Sequence, residues 1–189
     1  MRYVFLFLLL IVSCNKIQEK KDELIEASKN KAKNIALKTW EKSVKNTFEF
    51  LTTTEKFKVT DYYKYPTEFK IQNIESKKLN FPGSFNTYFF KYKYSKKEQI
   101  LEFLLRQETT HEELSDKSFS ETDISTVNNK LNFVEQNFPA NKKDILFFIE
   151  IKNHKNLKFY SCNRYPNQNL IAFDEENKTA YHLVDTYLD

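Results

Sequence analysis

Three histidines, His111, His154 and His182, are the first residues to question for chemistry. His111-Glu112-Glu113 opens like the helix of a zinc protease, in which two histidines one turn apart hold the metal and a glutamate serves as general base. Ser115 stands where the second histidine would be, so that motif fails. His154, between Asn153 and Lys155, falls in a turn-forming stretch and is expected to face water. His182 shares a strand face with Ala180 and Val184, which suits a core histidine better than a ligand. No two histidines have metal-ligand spacing, and no metal site is expected. Acyl transfer needs a nucleophile, a base and an oxyanion hole, commonly on a glycine-flanked turn. Ser161-Cys162 with the distant His182 is the available couple, and its spacing does not favour it. Asp174-Glu175-Glu176 is the densest acidic trio, but it reads as a hairpin turn, and it lacks the alternating oxygens and central glycine of a calcium loop. Carboxylate pairs for glycoside hydrolysis could be drawn from 26 acids in many ways, none singled out by sequence. With Gly83 as the sole glycine, glycine-rich phosphate cradles are excluded. The expectation is a protein that binds, with no catalytic residues and no cofactor.

The strongest binding signal is aromatic. Tyr62-Tyr63-Lys64-Tyr65-Pro66 gathers three tyrosines in a stretch that reads as a loop, and Tyr165-Pro166 repeats a smaller version. Loop tyrosines combine apolar area with a hydroxyl and are favoured at interfaces. Tyr62, Tyr63 and Tyr65 are therefore the candidate binding surface. The competing reading makes them core, in a chain with 18 Phe and 11 Tyr. Lysine–tyrosine alternation near residues 91–94 could suit single-stranded nucleic acid. A net charge of +4, from 30 basic and 26 acidic residues, is too balanced to support that, and no nucleic acid is expected.

The amino terminus is more specific. Arg2 precedes an apolar run from Tyr3 to Val12. As a helix the run spans about 15 Å, about half of a hydrocarbon core. That is too short to cross a membrane and right for a signal peptide. Ile11-Val12-Ser13-Cys14 resembles the lipobox of bacterial lipoproteins. The resemblance covers residues 1–14. It implies cleavage after Ser13, diacylglycerol on the Cys14 thiol and an acyl chain such as palmitate on the new amine. Two or more chains anchor stably, whereas one binds marginally. The implied location is the membrane surface of a bacterial cell envelope. Asn15, in place of the aspartate that commonly retains lipoproteins at the inner membrane, leans towards the outer membrane. With Cys14 lipidated, Cys162 has no intramolecular disulfide partner and is expected to act as a small buried hydrophobe.

These features need a scaffold. Residues 14–23 are charged and read as a tether, leaving 24–189 as a single domain. Leu24–Leu51 predicts a helix whose Leu37, Trp40, Val44, Phe48 and Leu51 form an apolar stripe packed on the protein's own sheet. Phe69–Glu75 predicts a strand. Asn86–Tyr94 predicts another, with Tyr88, Phe90, Tyr92 and Tyr94 on one face. Gly83 marks a turn before it, and Gln99–Gln107 is expected to pair with it as a hairpin. Glu121–Asn137, capped by Ser120 and ended by Pro139, predicts a second helix. Asp144–Lys152, Leu157–Cys162, Asn169–Phe173 and Thr179–Val184 predict four successive antiparallel strands. The fold class is α+β, an antiparallel sheet with about two helices on one face.

The functional expectation is a lipid-anchored accessory subunit of an envelope protein complex, with a protein partner. An inhibitor-type lipoprotein that neutralises a toxin shares every feature. From another class, an envelope hydrolase would use carboxylates or Cys162.

Overall fold

The structure, a computed structural model, describes residues 31, 34, 35, 38–47, 49–82 and 85–187. The signal segment 1–13, Cys14 and the rest of the tether, Leu37 and the Gly83 turn lie outside the described residues, as does the side chain of Phe48. The chain divides into two compact units, Met1–Asn46 and Thr47–Asp189. In the first, residues 38–46 are helical and Trp40 is 67% exposed, so this tryptophan does not sit in a core as its stripe suggested. Leu51, in the second unit, is 52% exposed and departs from that expectation in the same way.

The second unit is built on a seven-stranded antiparallel sheet. Its strands are β1 (Thr53–Glu55), β2 (Gln72–Asn80), β3 (Phe85–Lys93), β4 (Ser120–Thr122), β5 (Lys158–Arg164), β6 (Asn167–Asp174) and β7 (Thr179–Tyr187). They lie in the order β1-β2-β3-β7-β6-β5-β4. The α+β class and the antiparallel pairing are as expected from the sequence. β3 and β7 form the centre, in register from Phe85 opposite Tyr187 to Lys93 opposite Thr179.

Helices cover both faces of this sheet, not one. On the first face Phe89, Leu170 and Leu183 pack against Val127, Leu131 and Val134 of α3 (Ile124–Asn137) and against Ile145, Phe148 and Ile151. On the second face Phe90, Tyr92, Ile171 and Phe173 meet Val59 and Tyr63, around α1 (Val59–Tyr62). Ile100 and Leu104 of α2 (Lys97–Leu105) complete that layer. Burying each large apolar side chain contributes about 1.5–3 kcal/mol. Two such layers explain why β6 carries an uninterrupted apolar run, Leu170-Ile171-Ala172-Phe173, in place of an alternating one.

Two expected strands are helical. Gln99–Gln107 was expected to pair with β3, yet Lys97–Leu105 is α2 and the hairpin partner of β3 is β2. Ile100 and Leu104 are one turn apart and buried, while Glu102 and Arg106 form an ion pair at 2.5 Å on the opposite, exposed side. Asp144–Lys152 is likewise not a strand. Pro139–Ile145 and Glu150–Asn153 are 3-10 turns flanking the short α4 (Leu146–Ile149). Pro139 sits at the start of the first turn, where its fixed φ suits entry into helical geometry. The cap of α3 also shifts. Ser120 belongs to β4, and Asp123 caps the helix by accepting from the Ser125 amide at 2.7 Å. The strand expected at Phe69–Glu75 begins only at Gln72.

Candidate functional site

The tyrosine candidates belong to the interior. Tyr63 is 3% exposed, and Tyr62 and Tyr65 are half-buried in the same layer. Their exposure as a binding surface is therefore not what the fold provides. α1 and the turn after it lay these rings over the β3–β7–β6 part of the sheet, where aromatic neighbours give the phenols their apolar bodies a place. The Tyr62 hydroxyl lies 2.6 Å from Asn167 Oδ1 and 2.5 Å from Thr186 Oγ1. The Tyr63 hydroxyl donates to Asn169 Oδ1 at 2.6 Å, and its ring stacks on His182 at 5.6 Å with planes 4° apart. Burial pushes both phenols above their ordinary pKa.

His182 is a satisfied core histidine. Asn169 Oδ1, 2.9 Å from Nε2, can only accept, which assigns the imidazole proton to Nε2. The Tyr92 hydroxyl, 3.4 Å from Nδ1, then donates to the other nitrogen. Complete burial holds the ring neutral, with its pKa lowered to about 3. Cys162 lies on the same face of the sheet, free and buried, and burial pushes its thiol up to about 11. Its sulfur contacts the Asn163 carbonyl at 3.8 Å, while both nitrogens of His182 are engaged elsewhere. A thiol kept protonated beside a histidine with no spare nitrogen cannot act as a nucleophile–base couple.

His154 and His111, with Glu150, Asp174 and Glu175, are also held by neighbours in the fold. His154 is half-buried, not solvated as expected, with Nε2 3.1 Å from the Tyr181 hydroxyl. That hydroxyl donates to Glu150 at 2.5 Å, and Lys91 reaches the same carboxylate oxygen at 2.5 Å. Burial raises the Glu150 carboxyl, but the bonds from Lys91 and Tyr181 outweigh it and the net direction is down. His111 packs edge-on against Tyr165 at 4.7 Å. Asp174 accepts from the Asn177 amide at 2.9 Å in the β6–β7 turn, and Glu175 pairs with Lys97 at 2.6 Å. Among the described residues no group of three or more His, Cys, Asp or Glu is placed to hold a metal ion.

The site that remains is a cleft of about 400 Å³ between α3 and the start of β3 and end of β7. Phe81, Phe85 and Phe133 form its walls, with Tyr187 at its edge. Phe81 and Phe85 stack at 4.7 Å, and Phe133 remains 46% exposed. Thr87 and Asp185 come from facing positions of β3 and β7, so both point into the first face of the sheet. Asp185 is 4% exposed. Its Oδ1 accepts from Thr87 at 2.5 Å and its Oδ2 pairs with Lys130 of α3 at 2.5 Å. An apolar enclosure with a few placed polar groups has the composition of a ligand site.

Sequence reasoning missed this cleft, although one signal was present. Asp185 alternates with Tyr181 and Leu183 on the core face of β7, and a carboxylate at a core position requires a partner. What could not be read was that Lys130, next to the apolar stripe of α3, would supply it. No helix among the described residues is long and apolar enough to cross a membrane. Compared with known proteins, the chain matches no family model, no curated protein and no solved structure.

Proposed function

We propose that this chain is a lipid-anchored protein of a bacterial cell envelope that acts by binding, as an accessory component of an envelope complex. The anchor rests on Ile11-Val12-Ser13-Cys14 after a short apolar run, with lipid on Cys14 and the outer membrane as the favoured location. The observation that carries the binding reading is the cleft, whose phenylalanine walls stand over a buried, hydrogen-bonded carboxylate–ammonium pair. The described residues weighed for nucleophilic catalysis are engaged in the core. His182 and Cys162 are sealed in the opposite layer, and Glu150 is held by Lys91 and Tyr181. Tethering to a membrane raises the effective concentration towards neighbours without any new contact.

Two measurements test this. Cys14→Ala should move the protein from the membrane fraction to the soluble one, and continued membrane retention of that variant would sink the anchor. A photo-crosslinking amino acid at Tyr187, on the rim of the cleft, should capture a discrete envelope component in intact cells. The same probe at exposed Glu102 should not, and equal capture at both positions would remove the cleft from the binding reading.

A further inference from the structure

The polar floor of the cleft restricts what can enter it. Both oxygens of Asp185 are engaged, one accepting from Thr87 and the other from Lys130, and almost none of the side chain meets water. A donor on a ligand therefore finds the Asp185 carboxylate covered. Lys130 is the opposite case. Its ammonium has three donors, Asp185 accepts one, and among the described residues no second acceptor reaches it. Its side chain is 39% exposed and lines the cleft. The floor thus offers an incoming head group the spare donors of an ammonium whose charge Asp185 already balances.

The number of charges and the walls narrow the choice. A phosphate ester is usually met by several cations or a nest of amides, whereas among the described residues this cleft supplies one ammonium. A single acceptor group is enough for the spare donors of one lysine, and a carboxylate makes the charge-assisted form of that bond. Around it, Phe81, Phe85 and Phe133 present ring surface that gains about 25 cal/mol per Å² when an apolar body covers it. The volume of about 400 Å³ admits a small or medium body, not a large one.

We propose that the cleft binds an acyl monocarboxylate of medium length, its carboxylate on Lys130 and its chain against Phe81, Phe85 and Phe133. This rests on the reading of the chain as an envelope binding protein, where acyl chains are at hand. The carboxylate accepts from the lysine without displacing Asp185. The chain removes the exposed face of Phe133 from water.

The test is a calorimetric titration of the Cys14→Ala protein, purified without detergent, with octanoate, octanol and octylamine. Octanoate should saturate one site about tenfold more tightly than either analogue, since a charge-assisted bond is worth over 1.4 kcal/mol. Lys130→Met should lose that preference and Lys130→Arg should keep it. Because Lys130→Met leaves Asp185 unpaired and can unfold the domain, Phe133→Ser provides the independent variant on an exposed position. It should weaken all three ligands by a similar factor. Equal binding of octanoate and octylamine, absence of saturation, or unchanged affinity in Phe133→Ser would overturn the assignment. If titration fails while Cys14→Ala leaves the membrane, the ligand class is wrong and the anchor stands. If titration succeeds while that variant stays on membranes, the reverse holds.

Discussion

His182 of β7 and Asn169 of β6 meet diagonally across the strand pair, Nε2 to Oδ1 at 2.9 Å, in a site with no exposure at the histidine. Asn169 serves as the hub of the second core layer. Its oxygen also accepts from Tyr63, and its amide donates to the Cys162 carbonyl at 3.3 Å. The arrangement satisfies a neutral imidazole and has no counter-charge for a protonated one.

A pH dependence follows from that neutrality. The folded His182 pKa is lowered from 6.5 to about 3, so between those values the unfolded chain binds a proton that the folded one does not. Stability is then complete above pH 6.5 and falls as pH drops through the window, by about 1.4 kcal/mol per unit. Tyr63 and Tyr92 contact the ring and Cys162 lies in the same layer; all three stay protonated throughout, so they do not contribute. Urea unfolding at pH 7.5 and pH 5 should differ by about 2 kcal/mol. His182→Gln should flatten the profile between these values. If the variant retains the full slope, the histidine is not its source.

Cys162 should behave as a core atom. In the Cys14→Ala background an aromatic disulfide reagent should fail to react with the native protein and react completely in denaturant. The thiol is 1% exposed and its pKa is pushed up to about 11, which removes both access and thiolate. Cys162→Ala should cost about 1 kcal/mol through the small cavity left on the sheet. Rapid native labelling would place the cysteine at the surface and reopen a redox role.

Tyr63 separates the core reading of the tyrosines from the interface reading. Tyr63→Phe removes only the hydroxyl that donates to Asn169, and should cost about 1 kcal/mol. Tyr63→Ala also empties the space against His182 and should cost about 3–5 kcal/mol, as other aromatic truncations do. Tyr62→Phe, half-buried, should cost less than Tyr63→Ala. A folded, fully stable Tyr63→Ala would mean that the ring is dispensable to the core.

The sequence was legible where period and burial agree. Tyr88, Phe90, Tyr92 and Tyr94 alternate, β3 is extended, and all four rings do share one layer. β5, β6 and β7 were legible through the short turns between them, Tyr165-Pro166 and Glu175-Glu176-Asn177-Lys178. Legibility failed where a short apolar run fits two periods. Leu101, Phe103 and Leu105 alternate as a strand would, but Ile100 and Leu104 are the buried pair and the segment is a helix. Ile145, Phe148 and Ile151 recur every three residues, yet the run between them is apolar except for Glu150 and hides that period. The cleft was invisible for a different reason. Its walls come from a strand connection, two central strands and a helix far apart in the chain, and only pairing brings Thr87 opposite Asp185.

Glycine scarcity leaves a testable mark on the backbone. Lys70, at the end of the 3-10 turn Thr67–Phe69, has φ 50° and ψ 42°, the left-handed conformation. That conformation costs a residue with a Cβ about 1–2 kcal/mol relative to the right-handed one, and glycine is the usual solution at a helix end. Lys70 is exposed, and its amide bonds to Thr67 O at 3.1 Å, a bond that glycine also makes. Lys70→Gly relieves the Cβ clash in the folded chain but widens the conformational freedom of the unfolded one. The first effect exceeds the second at a left-handed position, so the variant should gain about 0.5 kcal/mol or more in urea unfolding. Lys64→Gly, an exposed control with ordinary φ, should lose stability instead. A loss of equal size at both positions would show that the left-handed turn carries no strain worth relieving.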